Sequence, residues 1–400
     1  MSEAIRIGVV NMAVEWWTAG ASYTRMMVES LAATKEGRGG QNGREPEILL
    51  LSKKRSGVKD EEGMPATIRH FKKPEYGPGE RLWRAMRGLG EKSELYETAL
   101  RYKASVLLPV LQIDVPRPPV PTIGWIPDFQ HRHWPEFYSK ASLASRDRAC
   151  RELAERARLI LLSSESARDD LAGYLPEYVG KARVLPFPSL FAFHPPGNEE
   201  PRETVARYRL PDKFALVANQ FWQHKNHRVV VEAVRLLKEG GLRIPVVMTG
   251  QPSDFRDPQN RTVSELLQQI AKAGLGGEIT VLGQVAYGEL IGLMRAAAVI
   301  AQPSQCEGWS TVVEDGKALG RPLMCSSIAT HREQAPGALG FFEWNRPDEL
   351  AELIGKHWAN LAPGPDEGAE ATGLAAEREF ARTHGRKLLK ICAESMQEGH

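Results

Sequence analysis

The chain has 400 residues, 42% hydrophobic and 26% charged, too long for one ordinary core and too apolar for a disordered or fibrous protein, so two domains of similar size are expected. With 52 Lys and Arg against 50 Asp and Glu, the net charge is +2, which excludes nucleic-acid binding through bulk charge. Cys150, Cys306, Cys325 and Cys392 form no CxxC pair, so neither a zinc site nor a disulfide framework is expected and a reducing cytosol fits best.

The opening MSEAIRIGVV places charge ahead of a strand-like run, unlike a secretion signal, and the longest apolar stretches, such as ASVLLPVL at 104–111, fall far short of the roughly 20 residues of a membrane helix. At most, peripheral contact with a membrane is expected. Short apolar, β-branched runs then alternate with helical segments: Ile5–Val10, Glu47–Leu51, Ser105–Leu111, Thr122–Ile126, Leu159–Ser163 and Arg183–Phe187. Near-continuous apolarity of this kind marks parallel strands buried on both faces. After the Pro-rich stretch LPFPSLFAFHPPGNEEP at 185–201 the rhythm restarts, with Phe214–Ala218, Pro245–Thr249, Ile279–Gly283, Val299–Gln302, Pro322–Ser326 and Ala338–Phe342. The pattern predicts two Rossmann-like, doubly wound α/β units over 1–190 and 211–373, joined by a linker over 191–210. An amphipathic helix over 374–400 is free to pack back on the first unit. In open parallel sheets ligands bind beyond the carboxyl ends of the strands, so two such units define one cleft and the informative residues belong in strand-to-helix loops.

In the first half, strand one runs into Trp16-Trp17-Thr18-Ala19-Gly20-Ala21-Ser22 ahead of a predicted helix, either a phosphate-facing loop or a plain helix start. The segment Glu80–Leu89 spaces Leu82, Trp83, Met86 and Leu89 as one helical face, for the core or for a lipid-linked acceptor at a membrane surface. WIPDFQHRHWPEFY at 125–138 delivers Asp128, Gln130, His131 and His133 from a strand end. Such a cluster either caps a loop or orients an acceptor hydroxyl and steadies a cationic transition state, with Asp128 the first candidate and His131 the second. In LLSSESARDD at 161–170, Ser163 and Ser164 read as structural caps.

In the second half, NQFWQHKNH at 219–227 follows the strand FALVA and presents Lys225 as a point charge for phosphate oxygens, with Asn219 and Gln220 beside it. Thr249-Gly250-Gln251 and Gly283-Gln284-Val285 follow their strands as nucleotide-facing loops or ordinary glycine turns. The richest segment is QPSQCEGWSTVVEDGKALGRP at 302–322, where a strand ends, a loop follows and a helix starts near Ser310 or Thr311. The amides of Gly308, Trp309, Ser310 and Thr311, with the positive end of the helix dipole, offer a diphosphate site that needs no metal, and Gly308 admits an anion closely. Glu307 and either Glu314 or Asp315 bracket those amides. Carboxylates beside a phosphate site make sense as acceptors for sugar hydroxyls, although Glu314 and Asp315 also suit a helix first turn.

Counted back from Gly320 and Pro322, this segment resembles the acidic signature of the glycosyltransferase-four (group 1) family, with Glu307 at the first glutamate and Asp315, or alternatively Glu314, at the second. The resemblance implies a GT-B fold. It assigns Glu307 to the transferred sugar, the second acid to the ribose, and the 308–311 amides with Lys225 to the diphosphate. Gly20 and Ala21 would bring amides from the opposite wall, and Val285 would touch the base. Two positions depart from the family: Gln220 stands where an arginine is usual, for which a protonated His224 or Asn219 would compensate, and Pro127 stands where a histidine is usual. The implied activity is retaining transfer of a sugar from a nucleotide-diphosphate sugar to a glycan, lipid-linked or small-molecule acceptor, with no cofactor and no metal, in agreement with the lack of an Asp-x-Asp motif. A sugar-nucleotide epimerase and a non-catalytic nucleotide-sugar or glycan-binding relative are the competing readings.

Overall fold

The computed structural model describes residues 5–12, 18–34, 46–52, 63–71, 93–197, 200–254, 256–257 and 259–397. Trp16, Trp17 and the helix expected over 80–89 lie outside them. Seven strands, β1 (Arg6–Val10), β2 (Glu47–Ser52), β3 (Thr67–His70), β4 (Val106–Val110), β5 (Thr122–Ile126), β6 (Leu159–Leu162) and β7 (Ala182–Val184), form one sheet in the order β3-β2-β1-β4-β5-β6-β7. Six more, β8 (Ala215–Ala218), β9 (Val246–Thr249), β10 (Ile279–Gly283), β11 (Val299–Gln302), β12 (Leu323–Ser326) and β13 (Gly340–Phe342), form a second in the order β10-β9-β8-β11-β12-β13. The pairings are parallel throughout. β3 was not expected, because TIRH carries no apolar run.

The apolar runs are buried on both faces, as their composition requires. In β8, Leu216 and Ala218 enter one core cluster while Ala215 and Val217 enter the cluster on the opposite face. Helices cover both faces, so each sheet is doubly wound. Strand order reverses between β1 and β4 in the first unit and between β8 and β11 in the second, and ligand crevices open at such switch points.

Helix Pro201–Arg207, inside the stretch expected to be linker, packs on Tyr287–Ala296 of the second unit. The last helix, Glu367–Met396, ties the units together. At its start Glu370 pairs with Arg295 at 3.0 Å, and towards its end Leu388, Ile391 and Cys392 complete the core of the first unit while Glu394 pairs with Arg183. It crosses helix Thr18–Ala33 so closely at Gly385 that a Cβ there would strike the Ser30 carbonyl oxygen.

That contact decides the sign of a substitution. In a helix open to solvent, Gly→Ala stabilises by roughly 1 kcal/mol. Gly385→Ala is instead expected to destabilise, by about 1–3 kcal/mol, because the helices must separate. Urea unfolding with no loss of stability in this variant would contradict the packing.

Candidate active site

The second unit builds its site at the switch point. β8 delivers Asn219 and, six residues on, Lys225; β11 ends at Gln302 and leads to Glu307. Lys225 Nζ meets Glu307 Oε1 at 2.6 Å with only 12% and 9% of the side chains exposed. Gln302 fills the crevice between the strands: its Nε2 donates to Glu307 Oε1 (3.0 Å) and Ser310 Oγ (3.0 Å), and its Oε1 accepts from Asn219 Nδ2 (2.7 Å). Thr330 Oγ1 donates to the Glu307 carbonyl (2.8 Å), and the Gln305 amide donates to the His224 carbonyl (2.8 Å), so the two loops hold each other. The turn at Gln223–Lys225 closes on Asn226 in the left-handed region (φ 55°), a conformation asparagine tolerates, and its Nδ2 bonds the carbonyls of Pro303 and Trp344.

Burial alone would raise the Glu307 carboxyl, but Lys225 and hydrogen bonds hold it below the usual carboxylate range. His331 lies fully buried, which lowers it to about 4 and keeps it neutral. His224 is buried beside Lys225 and Arg256 and lies well below its ordinary value. A protonated His224 therefore does not replace the arginine absent at Gln220, and Asn219 is committed to Gln302.

Ser310 is the N-cap of helix Thr311–Ala318, its Oγ accepting from the Val313 amide at 3.4 Å, and the helix stops at Gly320 (φ 61°) ahead of Pro322. This start agrees with the sequence. The amide row does not: the Ser310 amide is taken by Gln334 Oε1 (3.0 Å), which leaves Gly308, Trp309 and Thr311 as the candidate amides. The Cα of Gly308 lies against protein, since a Cβ there would collide with the carbonyl oxygen of Pro127 in the first unit. The Trp309 indole reaches away to the Phe187 carbonyl (3.0 Å).

Of the two candidate ribose acids, Glu314 is fully enclosed, holding Lys317 Nζ (2.9 Å) and Gln334 Nε2 (3.0 Å), and it drops out of the cleft-facing set. Asp315 turns to the Pro-rich stretch after β7, where Ser189 Oγ donates to it at 2.6 Å. Gly250 is no ordinary turn, because a Cβ there would overlap the Asn219 carbonyl, whereas Gly283 is a left-handed turn (φ 69°). Val285 lies partly buried against the core beside β8 and β11.

In the first unit, Gly20 and Ala21 lie within the first turn of helix Thr18–Ala33, which begins ahead of them, the helix start that the sequence left open beside a loop. Asp128 approaches the 307–310 loop beside Pro127, and its Oδ1 accepts the Gln130 amide at 3.0 Å. His131 does not face the cleft. It is buried, which lowers its pKa, and Nε2 meets Asp147 Oδ1 on the next helix at 3.2 Å. His133 pairs with Asp170 at 2.7 Å, which raises it. Ser164 caps helix Glu165–Tyr174, and Ser163 accepts the Trp125 indole N–H.

Two residues escaped the sequence reading. Arg256, in the loop after β9, reaches across to Gln130 and Tyr138, and Glu333 accepts the amides of Glu165 and Ser166 in the first unit. Neither belongs to a spacing that a motif reveals; the run SDFRDP around Arg256 was the one available signal.

The description "Glycosyl transferases group 1" matches residues 203–360, which contain Lys225, Glu307 and the whole network between them. That part of the chain is similar to the group 1 glycosyltransferases. The chain is 22% identical to O-antigen chain mannosyltransferase B of Escherichia coli over 254 residues, which span 62% of this chain and 63% of that protein. A glycosyltransferase from Rickettsia africae superposes over the full length of both chains with a TM-score of 0.63 at 15% identity. The Anabaena protein HepE, solved in complex with UDP and glucose, superposes over 98% of this chain and all of its own with a TM-score of 0.64 at 13% identity. The fold is GT-B, two Rossmann-like units across a cleft. Among the described residues no helix is long and apolar enough to cross a membrane.

Burial pushes the Asp315 carboxyl up to about 7. An acid held above its unfolded pKa stabilises the fold fully below about pH 4, and that contribution is lost as pH rises through about 7. Asp315→Asn is neutral throughout, so its melting temperature relative to the natural chain should increase between pH 5 and pH 8.5. A difference independent of pH over that window would refute the assignment.

Proposed function

We propose that the chain is a retaining, metal-independent glycosyltransferase that moves a hexose from a nucleoside-diphosphate sugar to a hydroxyl of a glycan, lipid-linked or small-molecule acceptor. The Lys225–Glu307 pair at the switch point, facing Asp128 of the other unit, carries this reading. Lys225 has three donors, so it can keep Glu307 and still hold a phosphate oxygen of the leaving diphosphate. Glu307, kept ionised, accepts from hydroxyls of the transferred sugar. Diphosphate charge that is met by a lysine and by the amides of Gly308, Trp309 and Thr311 needs no divalent ion. Asp128 lies where an acceptor hydroxyl would enter, and the leaving phosphate takes the acceptor proton on the face where the new bond forms. The HepE complex and the mannosyltransferase relative are in keeping with a nucleotide-sugar donor and a glycan product.

Thermal-shift and calorimetric titrations with GDP, UDP, dTDP and ADP sugars test the donor, because a ligand at 100 times its Kd stabilises the fold by about 2.7 kcal/mol. One nucleotide is expected to bind, and Glu307→Ala should weaken its sugar-bearing form more than the bare diphosphate. Binding by none would return the chain to a non-catalytic relative, and isomerised donor without acceptor would make it an epimerase.

Lys225→Ala should lower kcat by about 100-fold or more. It also strands a buried carboxylate, at about 3–5 kcal/mol. The double variant Lys225→Ala/Glu307→Gln should recover most of that stability and stay inactive; recovery of turnover along with stability would make the pair merely structural. Exhaustive chelation should leave the rate unchanged, and loss restored by manganese would overturn metal independence.

A further inference from the structure

Arg256 occupies an unusual place for a loop residue. Its guanidinium grips Asp254 through Nε and Nη2, each at 2.9 Å, with only 9% and 4% of the two side chains exposed. The guanidinium reaches out in two further directions, one across to the first unit and one within the second. Nη1 donates to Gln130 Oε1 at 2.8 Å and to Tyr138 Oη at 3.4 Å in the first unit, while Nη2 donates to His224 Nδ1 at 3.3 Å. Tyr138 Oη closes the group by donating to Gln130 Oε1 at 2.5 Å.

Each end of this bridge stops one bond short of a candidate reacting group. His224 immediately precedes Lys225, and its carbonyl holds Gln305, two residues ahead of Glu307. On the other side the backbone amide of Gln130 donates to Asp128 Oδ1 at 3.0 Å. His224, kept neutral by burial and by its cationic neighbours, has the lone pair the guanidinium requires. The charge of Arg256 is met by Asp254, so it is not a substitute for the cation absent at Gln220. Its fork, five donors in one plane, is what lets a single side chain serve four accepting residues in different directions, which a lysine cannot reproduce.

We propose that Arg256 is a positioning residue that sets Asp128 against Lys225 and Glu307 by clasping Gln130 to His224 across the cleft. The assignment rests on the sugar-transfer reading above. Nothing in the clasp holds the donor, so its loss misplaces the first-unit side of the reaction and leaves the second-unit grip on the nucleotide intact.

Gln130→Met removes the shorter of the two cross-cleft bonds and leaves the buried Arg256–Asp254 pair alone; Arg256→Lys keeps the charge and loses the fork. In both, kcat with the donor found in the nucleotide panel should fall about ten- to a hundred-fold, as expected for a small misplacement of reacting groups. Donor KM should stay within about two-fold. Hydrogen–deuterium exchange without ligand should quicken over 127–138 in both variants, while the peptide covering β8 and β9 stays as in the natural chain. Unchanged kcat, a rise in donor KM alone, or unchanged exchange over 127–138 would each overturn the proposal. Quickened exchange in a chain whose natural form transfers no sugar to any acceptor leaves the clasp standing and removes the sugar-transfer reading instead.

Discussion

The Lys225–Glu307 ion pair is the interaction on which the mouth of the cleft depends. Two charges largely withdrawn from water cost several kcal/mol each unless their remaining hydrogen-bonding capacity is met. Here the surroundings meet it: Gln302 donates to the Glu307 carboxylate, and Thr330 holds its backbone carbonyl. The loops after β8 and β11 thus become one rigid edge of the switch-point crevice. On the function proposed above, the lysine supplies the charge that meets the diphosphate and the carboxylate beside it meets the sugar.

Across from this edge the first unit is brought close by polar contacts more than by a shared core. Glu333 takes the free amides at the start of helix Glu165–Tyr174, Trp309 donates to the Phe187 carbonyl, and Gly308 lies under Pro127. Trp134 meets Trp344 edge to face at 5.0 Å. The hydrogen bonds among these contacts are of the kind found at interfaces between domains, because their donors and acceptors find water a nearly equal partner.

A second cluster of acids lies where helix Thr311–Ala318 meets the Pro-rich stretch and the last helix. Ser189 donates through Oγ to Asp315 and through its amide to Glu377 of the last helix (2.9 Å), while burial and the neighbouring Glu314 raise Glu377. Protonated acids here relieve the repulsion that three adjacent carboxylates would otherwise impose. The helix of the acidic signature is thereby joined to the linker and to the helix that spans both units.

The two doubly wound sheets were legible in the sequence because parallel strands buried on both faces must be near-continuously apolar; only β3, whose TIRH lacks such a run, escaped. The helix start at Ser310 and its stop at Gly320 were legible because capping is a local matter between neighbouring residues. Lys225 and Glu307 could each be placed in a strand-to-helix loop. Their contact could not, since strand order brings β8 beside β11 across 80 residues of chain. What faces what was decided by tertiary structure alone: His131 turned to Asp147, Glu314 enclosed, Gly308 filled by Pro127, Arg256 stretched to Gln130. A side chain's direction depends on which surfaces compete for it once the units have met, and composition, spacing and periodicity carry no record of that.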